Sequence, residues 1–220
     1  MKRFMLAVWV VVFFKAASAS ALEFSPVLGL GLDMSSASTT VAGTSYGTNT
    51  KTSVGGGVLL DSGLAPMVSL EVGVLYLPIN HGLTVNITSP LTLSAPSETS
   101  YNALQIPVLM KFTLLPLVSF GAGAYYSKGL GSVKVHSDAF TSAGLTFPAS
   151  DTTESFADAS LSDTDYGLMA NAGMSFPFLP LMKFRADLNY LFGLKNINTT
   201  DTVTLKSRRI LVTAGVSFGF

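Results

Sequence analysis

Apolar and polar residues alternate with period two through eight separate stretches of this chain. The closing residues show it best. Ile210, Val212, Ala214, Val216, Phe218 and Phe220 make one wholly apolar face, while Leu211, Thr213, Gly215, Ser217 and Gly219 are mostly small or polar. Alternation of this kind over about ten residues predicts a β-strand long enough to cross a bilayer. Residues 24–34 set Leu28, Leu30, Leu32 and Met34 against Gly29, Gly31 and Asp33, and residues 53–60 set Val54, Val58 and Leu60 against Ser53, Gly55 and Gly57. A third strand alternates from Val68 to Tyr76, a fourth from Leu104 to Phe112 and a fifth from Val118 to Tyr126. A sixth runs from Leu168 to Phe176 and a seventh from Phe184 to Phe192.

Connector lengths alternate too. Short links at 61–67, 114–117 and 177–181 each hold a proline, which favours a tight turn and ends strand pairing. Connectors at 35–52, 78–100, 128–164 and 195–207 are longer and are expected to be loops. An even strand count with alternating short and long connections predicts an all-β fold, an eight-stranded antiparallel up-and-down transmembrane β-barrel. Phe112, Phe120, Phe176, Phe184, Phe218 and Phe220 would mark the short-turn end, and Tyr76, Tyr126, Tyr166, Tyr190 and Phe192 the other. Two aromatic girdles of this kind suit a lipid-embedded barrel better than the alternative, core aromatics of a soluble sandwich or lipocalin-like barrel. Pro107, in mid-strand, cannot donate to the ladder and predicts a bulge or local widening.

Composition sharpens the picture. The chain is 48% hydrophobic and 12% charged, against about 25% charged residues in ordinary soluble domains. No apolar run after Phe14 approaches the ~18 residues of a spanning helix, so the apolarity is spread over alternating strands. Lys2 and Arg3 precede an apolar run to Phe14, followed by the small-residue sites around Ala19 and Ala21. Residues 1–21 therefore read as a secretory signal peptide, cleaved after Ala19 or Ala21, and residues 22–220 as one domain. Three of the 13 Lys and Arg lie in that leader, leaving 10 against 13 Asp and Glu, a mildly acidic chain with no nucleic-acid footprint. The absence of Cys excludes disulfides and a lipoprotein anchor.

Leu104-Gln105-Ile106-Pro107-Val108-Leu109-Met110-Lys111-Phe112, followed by a proline turn and the Gly121, Gly123, Tyr125, Gly129 series, resembles the small outer-membrane β-barrel family that includes porin-family and PorT-like proteins. Asp165-Tyr166-Gly167-Leu168 with Ala172-Gly173, and Tyr190 with Gly193, Leu194, Asn196 and Ile197, resemble its sixth and seventh strands. Gln105 departs from the family's common Glu and removes one lumen carboxylate. The resemblance implies a multi-pass protein of the cell outer membrane, surrounded by outer-membrane lipid and lipopolysaccharide. The terminal aromatics Phe218 and Phe220 resemble the signal read by the barrel-assembly machinery. An extracellular or secretion-system protein partner is compatible with the resemblance.

Candidate chemistry is concentrated inside. Asp33, Glu71, Lys111, Lys183, Arg185, Asp187 and Arg209 occupy inward positions. An eight-stranded barrel is just wide enough for side chains to fill, so these charges are expected to pair into one network that plugs the lumen. A narrow ion-conducting pore is the functional alternative. His81 and His136 fall in expected loop territory, and His136-Ser137-Asp138 contains hydrolase residue types without thereby making a triad. The six acids Asp138, Asp151, Glu154, Asp158, Asp163 and Asp165 lack the spacing of a calcium loop and read as a hydrated, mobile surface. No metal, cofactor or catalytic set is expected. The reading is a non-enzymatic barrel, structural or displaying surface loops, with a narrow passive pore or an accessory role in secretion as alternatives.

Overall fold

The computed structural model describes residues 22–87, 93–115, 117–142, 145–200 and 202–219. The expected signal peptide at 1–21 and the terminal Phe220 lie outside the described residues. Strands run as β1 (Leu22–Thr39), β2 (Thr44–Asn49), β3 (Lys51–Ala65), β4 (Val68–Ile87), β5 (Leu93–Leu115) and β6 (Val118–Ser137). They continue as β7 (Phe140–Ser142), β8 (Leu145–Phe147), β9 (Ser150–Glu154), β10 (Thr164–Leu179), β11 (Met182–Gly193) and β12 (Val203–Gly219). Eight of them, β1, β3, β4, β5, β6, β10, β11 and β12, form an antiparallel ring, each paired with the next. The ring closes where β12 pairs with β1, from Phe24↔Phe218 to Thr39↔Val203.

The outer surface carries the apolar half of the alternation. Leu28 is 74% exposed, Val54 67% and Leu168 55%. Exposed aliphatic side chains arranged all round a closed barrel are costly in water and at home in hydrocarbon. Outward aromatics stand level with one another at each end: Phe24 beside Phe218, Phe112 beside Phe120, and Phe176 beside Phe184 at the short-turn end, with Tyr126 beside Tyr166 at the other. The step from Tyr166 to Phe176 along β10, at about 3.3 Å per residue and a tilt of ~40°, corresponds to an apolar band about 25 Å tall.

Two short turns, Pro66-Met67 and Pro180-Leu181, follow one design. Proline sets the first turn residue, and the second has positive φ, +71° at Met67 and +66° at Leu181. That conformation is uncommon without glycine. Here it aims a turn carbonyl at a neighbouring strand: Thr113 N–H donates to Met67 O and Gly219 N–H to Leu181 O, both at 2.8 Å.

Several expectations are corrected. Pro107 produces no bulge: β4 and β5 keep one register from Val72↔Val108 to Leu75↔Gln105, and only the two intervening pairs, opposite Gly73 and Val74, are missing from the ladder. The register shifts in β5 lie instead at Ser100/Asn102 and Thr113/Leu115. Much of the expected loop territory at 35–52, 78–100 and 128–164 is strand. β4 and β5 stay paired to Ile87↔Leu93, β5 and β6 to Ser97↔Ser137, and β2 and β9 add themselves to β4 and β6. A five-stranded wall, β2-β4-β5-β6-β9, therefore rises from one side of the barrel. Above Asp33↔Lys51 the first hairpin splits, with β1 remaining on β12 while β2 follows β4.

Inward glycines let the ring close tightly. A Cβ on Gly123 would collide with the Val108 carbonyl, and one on Gly57 with the Val74 carbonyl. Gly123→Ala is expected to lower folding stability by about 1–3 kcal/mol through overpacking against backbone. Equilibrium urea titration of the heat-modifiable form on gels checks this, and an unchanged midpoint would show that the strands can move apart at no cost.

Candidate functional site

The inner face is layered. At the short-turn end a vestibule of about 500 Å³ is lined by the charged Glu23, Asp61, Lys183 and Arg185 and by apolar side chains such as Val68 and Met174. At its floor Arg185 of β11 reaches across the lumen. Its Nη2 donates to Glu71 Oε2 of β4 at 2.6 Å, its Nη1 to Asp61 Oδ2 of β3 at 2.7 Å, and its Nε to Asp187 Oδ2 at 2.8 Å. Lys111 of β5 donates to Glu71 at 3.1 Å and Asp187 at 2.9 Å. Asn171 extends the cluster, donating to Asp187 at 3.3 Å and to Asn189 at 2.7 Å. Glu71 is 2% exposed and Arg185 4%. Charges this buried persist only when each is paired and hydrogen-bonded.

Above this cluster lies an apolar layer: Val27, Leu59, Leu75, Leu77, Leu109, Tyr125, Met169, Leu191 and Leu211. A second polar cluster sits above that. Arg209 of β12 pairs with Asp33 of β1, its partner in register, and also donates to the Pro78 carbonyl at 3.3 Å. His81 is buried beside it, with Nδ1 2.8 Å from Ser35 Oγ and Nε2 3.4 Å from Tyr101 OH. Tyr125 OH donates to Asp165 Oδ2 at 2.9 Å. A cavity of about 20 Å³ runs between these groups, with Gln105 and Asp165 on its wall. Its volume and polar lining suit one bridging water.

A second apolar cluster, Ile79, Tyr101, Ala103, Val133, Leu161, Ile197 and Leu205, roofs the barrel. The segment after β9 folds down onto it. Ser155 Oγ accepts from Asp158 N–H at 3.2 Å and caps a single helical turn, which ends at Ser160 with φ +53°. That turn packs Phe156 edge-on against Tyr101, 5.1 Å between ring centroids. Gly129 makes room for the Phe156 ring, which a Cβ there would strike. Residues 194–200 lie alongside, joined by Ser162 N–H to Ile197 O at 2.7 Å and Thr199 N–H to Ser160 O at 2.9 Å.

The seven inward charges thus do not form one network. Glu71, Lys111, Arg185 and Asp187 meet at the lower level, Asp33 and Arg209 at the upper, and the apolar layer separates them. Lys183 stands apart at the mouth and pairs with Glu23. Asp61, expected in a turn, belongs to β3 and holds Arg185; His81, expected in a loop, belongs to β4 and faces inward. Continuing the odd-numbered inward series past Leu59 and past Glu71 would have found both. Phe218 lies in β12 opposite Phe24, at the short-turn end.

The loop acids are also more ordered than expected. Asp165 is buried, Asp163 pairs with Lys128 and Asp158 caps its turn with Ser155. No group of three or more metal-ligating side chains occurs among the described residues. His136, ten positions beyond Tyr126 and clear of the apolar band, has both ring nitrogens against carboxylates: Nδ1 2.7 Å from Asp151 and Nε2 3.2 Å from Asp138. No ring nitrogen faces Ser137, which lies on the opposite side of β6.

Together these features define a closed transmembrane barrel of the outer-membrane type, with short turns and long extensions at opposite ends. The family model described as outer membrane protein beta-barrel domain matches residues 6–218, and the chain belongs to that family. The solved structure of the outer membrane protein OprG from Pseudomonas aeruginosa is similar at TM-score 0.56 and 14% identity, covering 92% of this chain and 96% of that one. Neisserial surface protein A is similar at TM-score 0.42 and 15% identity, covering 90% and 97%. At 14% identity the likeness to OprG is one of fold. Comparison with curated protein sequences finds no significant match. The protein resides in the outer membrane, and short periplasmic turns with long external connections place the vestibule on the periplasmic side.

Two measurements test the charges. Arg185→Ala strands three carboxylates around one lysine and is expected to cost about 3–5 kcal/mol. Urea unfolding in detergent reads this, and a shift below about 1 kcal/mol would mean the cluster is hydrated and weak. His136 is held above its ordinary value of 6.5 by its hydrogen bonds to Asp151 and then Asp138. Because the folded value is raised, its contribution to the β6–β9 pairing is complete below about pH 6.5 and fades as pH rises through the folded value. Asp151→Asn should lower the midpoint of the His136 imidazole titration seen by NMR; an unmoved midpoint would discard the pairing.

Proposed function

We propose that this protein is a non-enzymatic, closed outer-membrane barrel whose working surface is its external β-structured extension. The observation that carries this reading is the division of the barrel into a sealed interior and a built exterior. Two ion-pair clusters, an apolar layer of nine side chains and a roof holding Phe156 occupy the lumen. The five-stranded wall outside is made of paired strands and carries at its far end a β7–β8 hairpin, where Phe140 and Phe147 stack at 4.7 Å. Between Asp138 and Asp151 the hairpin has no charged residue. A structured, uncharged, partly apolar projection is suited to contact with an external protein or surface. The secretion-accessory alternative would use the same projection or the periplasmic mouth.

The passive-pore alternative has one observation in its favour, the periplasmic vestibule, and needs the apolar layer to part. In planar bilayers the wild type is expected to show no steps above the lipid baseline, while Leu109→Ser with Leu211→Ser, which wets that layer, should conduct. Wild-type conductance would overturn the closed-barrel reading. Replacement of residues 138–150 by a short turn should leave the heat-modifiable barrel intact and reduce binding of expressing cells to their contact surface. Unchanged binding to every surface tested would sink the display role.

A further inference from the structure

Lysines and arginines among the described residues divide into two populations. Lys51, Lys111, Lys128, Lys183, Arg185 and Arg209 each face a carboxylate. Lys134, Lys195, Lys206 and Arg208 have no carboxylate partner among the described residues. Three of these four gather in one sector of the barrel rim. Arg208 and Lys206 occupy the outward face of β12, two residues apart and so about 7 Å from each other. Lys195 follows the end of β11, the strand beside β12, and its Nζ donates to Ser162 Oγ at 2.6 Å and Thr164 Oγ1 at 2.5 Å. Those two hydroxyls hold Lys195 in place without neutralising it.

Height decides what this sector meets. Arg208 is the register partner of Phe192, and its guanidinium lies 3.6 Å over the centroid of that outward ring. Phe192, Tyr190 and Tyr166 are the outer aromatic girdle here, where hydrocarbon gives way to headgroups. Two carbonyls, Gly193 O and Ser207 O, accept from Arg208 Nη1, both at 2.9 Å. The side chain is therefore fixed in place, while Nε and Nη2 have no acceptor among the described residues. A guanidinium held rigid at the headgroup level, with part of its donor fork free, suits bidentate phosphate binding. The ammonium groups of Lys206, on the same face of β12, and of Lys195, just past the end of the adjoining β11, add to the positive potential of this sector.

We propose that Arg208, Lys206 and Lys195 form a binding site for the phosphate of an outer-leaflet phosphoglycolipid, the lipid A portion of lipopolysaccharide. The site fixes the azimuth of the barrel in the outer leaflet. It seats one lipid against β10, β11 and β12, the arc of the ring between β6 and β1.

Native mass spectrometry of the mature, folded protein in detergent tests this, with heat-modifiable migration as the check on folding. The wild type should retain diphosphoryl lipid A and only poorly retain the same lipid lacking both phosphates. Lys206→Gln with Arg208→Gln should cut retention of the diphosphoryl form about tenfold or more. Lys134→Gln, high on the wall, should leave it unchanged. Should the double variant fail to fold, Lys206→Gln alone, whose side chain has no bonded partner among the described residues, should still lower retention about fivefold. Equal retention by the folded variant and the wild type, or equal retention of the dephosphorylated lipid, overturns the site. Displacement by excess inorganic phosphate would show a free-anion site, and preference for a sulfated glycan over lipid A a polysaccharide site; either result overturns the lipid assignment.

Discussion

Hydrocarbon offers a peptide group no hydrogen-bond partner, and the pairing of β12 with β1 is the consequence from which the rest of this structure follows. Closure leaves no strand edge in lipid, and closing with eight strands fixes an interior only as wide as its own side chains. Everything inward must then either pair or pack. Arg185 answers the first demand by joining carboxylates from β3, β4 and β11 across the lumen. Leu109, Leu211 and their neighbours answer the second.

The ordering of the layers has a physical logic of its own. A single continuous charge network from mouth to mouth would be a wet path, because partly satisfied polar groups recruit water. Placing an apolar layer between Arg185 and Arg209 breaks that path and lowers the local dielectric on both sides. The ion pairs beside it are strengthened accordingly, and leaving any one of them unpaired becomes more costly. Charge and apolar packing are thus coupled: the apolar layer keeps the two charged clusters from joining through water.

Within the apolar band the fold was legible in the sequence because lipid outside and a filled lumen inside impose opposite demands on successive residues. Leu28, Val54, Leu168 and Val212 face outward and Asp33, Glu71 and Arg185 face inward, as alternation requires. Above the band that contrast disappears. His81, Thr84 and Asn86 on β4 belong to a strand with water on its outer face, so period two no longer separates apolar from polar, and the extension reads as loop. The candidate site was legible in its residues but not in its grouping. Which of Asp33, Lys111 and Arg209 meet depends on strand stagger around the ring, and stagger is a property of the closed barrel rather than of any one segment.

The same loss of contrast explains where specificity can reside. Inside the band nearly every position is fixed by lipid, by closure or by the need to pair a charge, and little freedom is left for recognition. Beyond it, the outer faces of β2, β4, β5, β6 and β9 are released from those demands, while the inner faces of β4, β5 and β6 still pack Leu83, Tyr101, Val133 and Val135 at the roof. The roof, where Phe156, Leu161 and Ile197 meet Tyr101 and Val133 of the wall, covers the lumen beneath the outermost strands. The outer face of the wall is consequently free of the barrel's packing demands. Its sequence can change without disturbing Arg185 below, which is the condition under which an outer-membrane protein can keep its fold while its external contacts diverge.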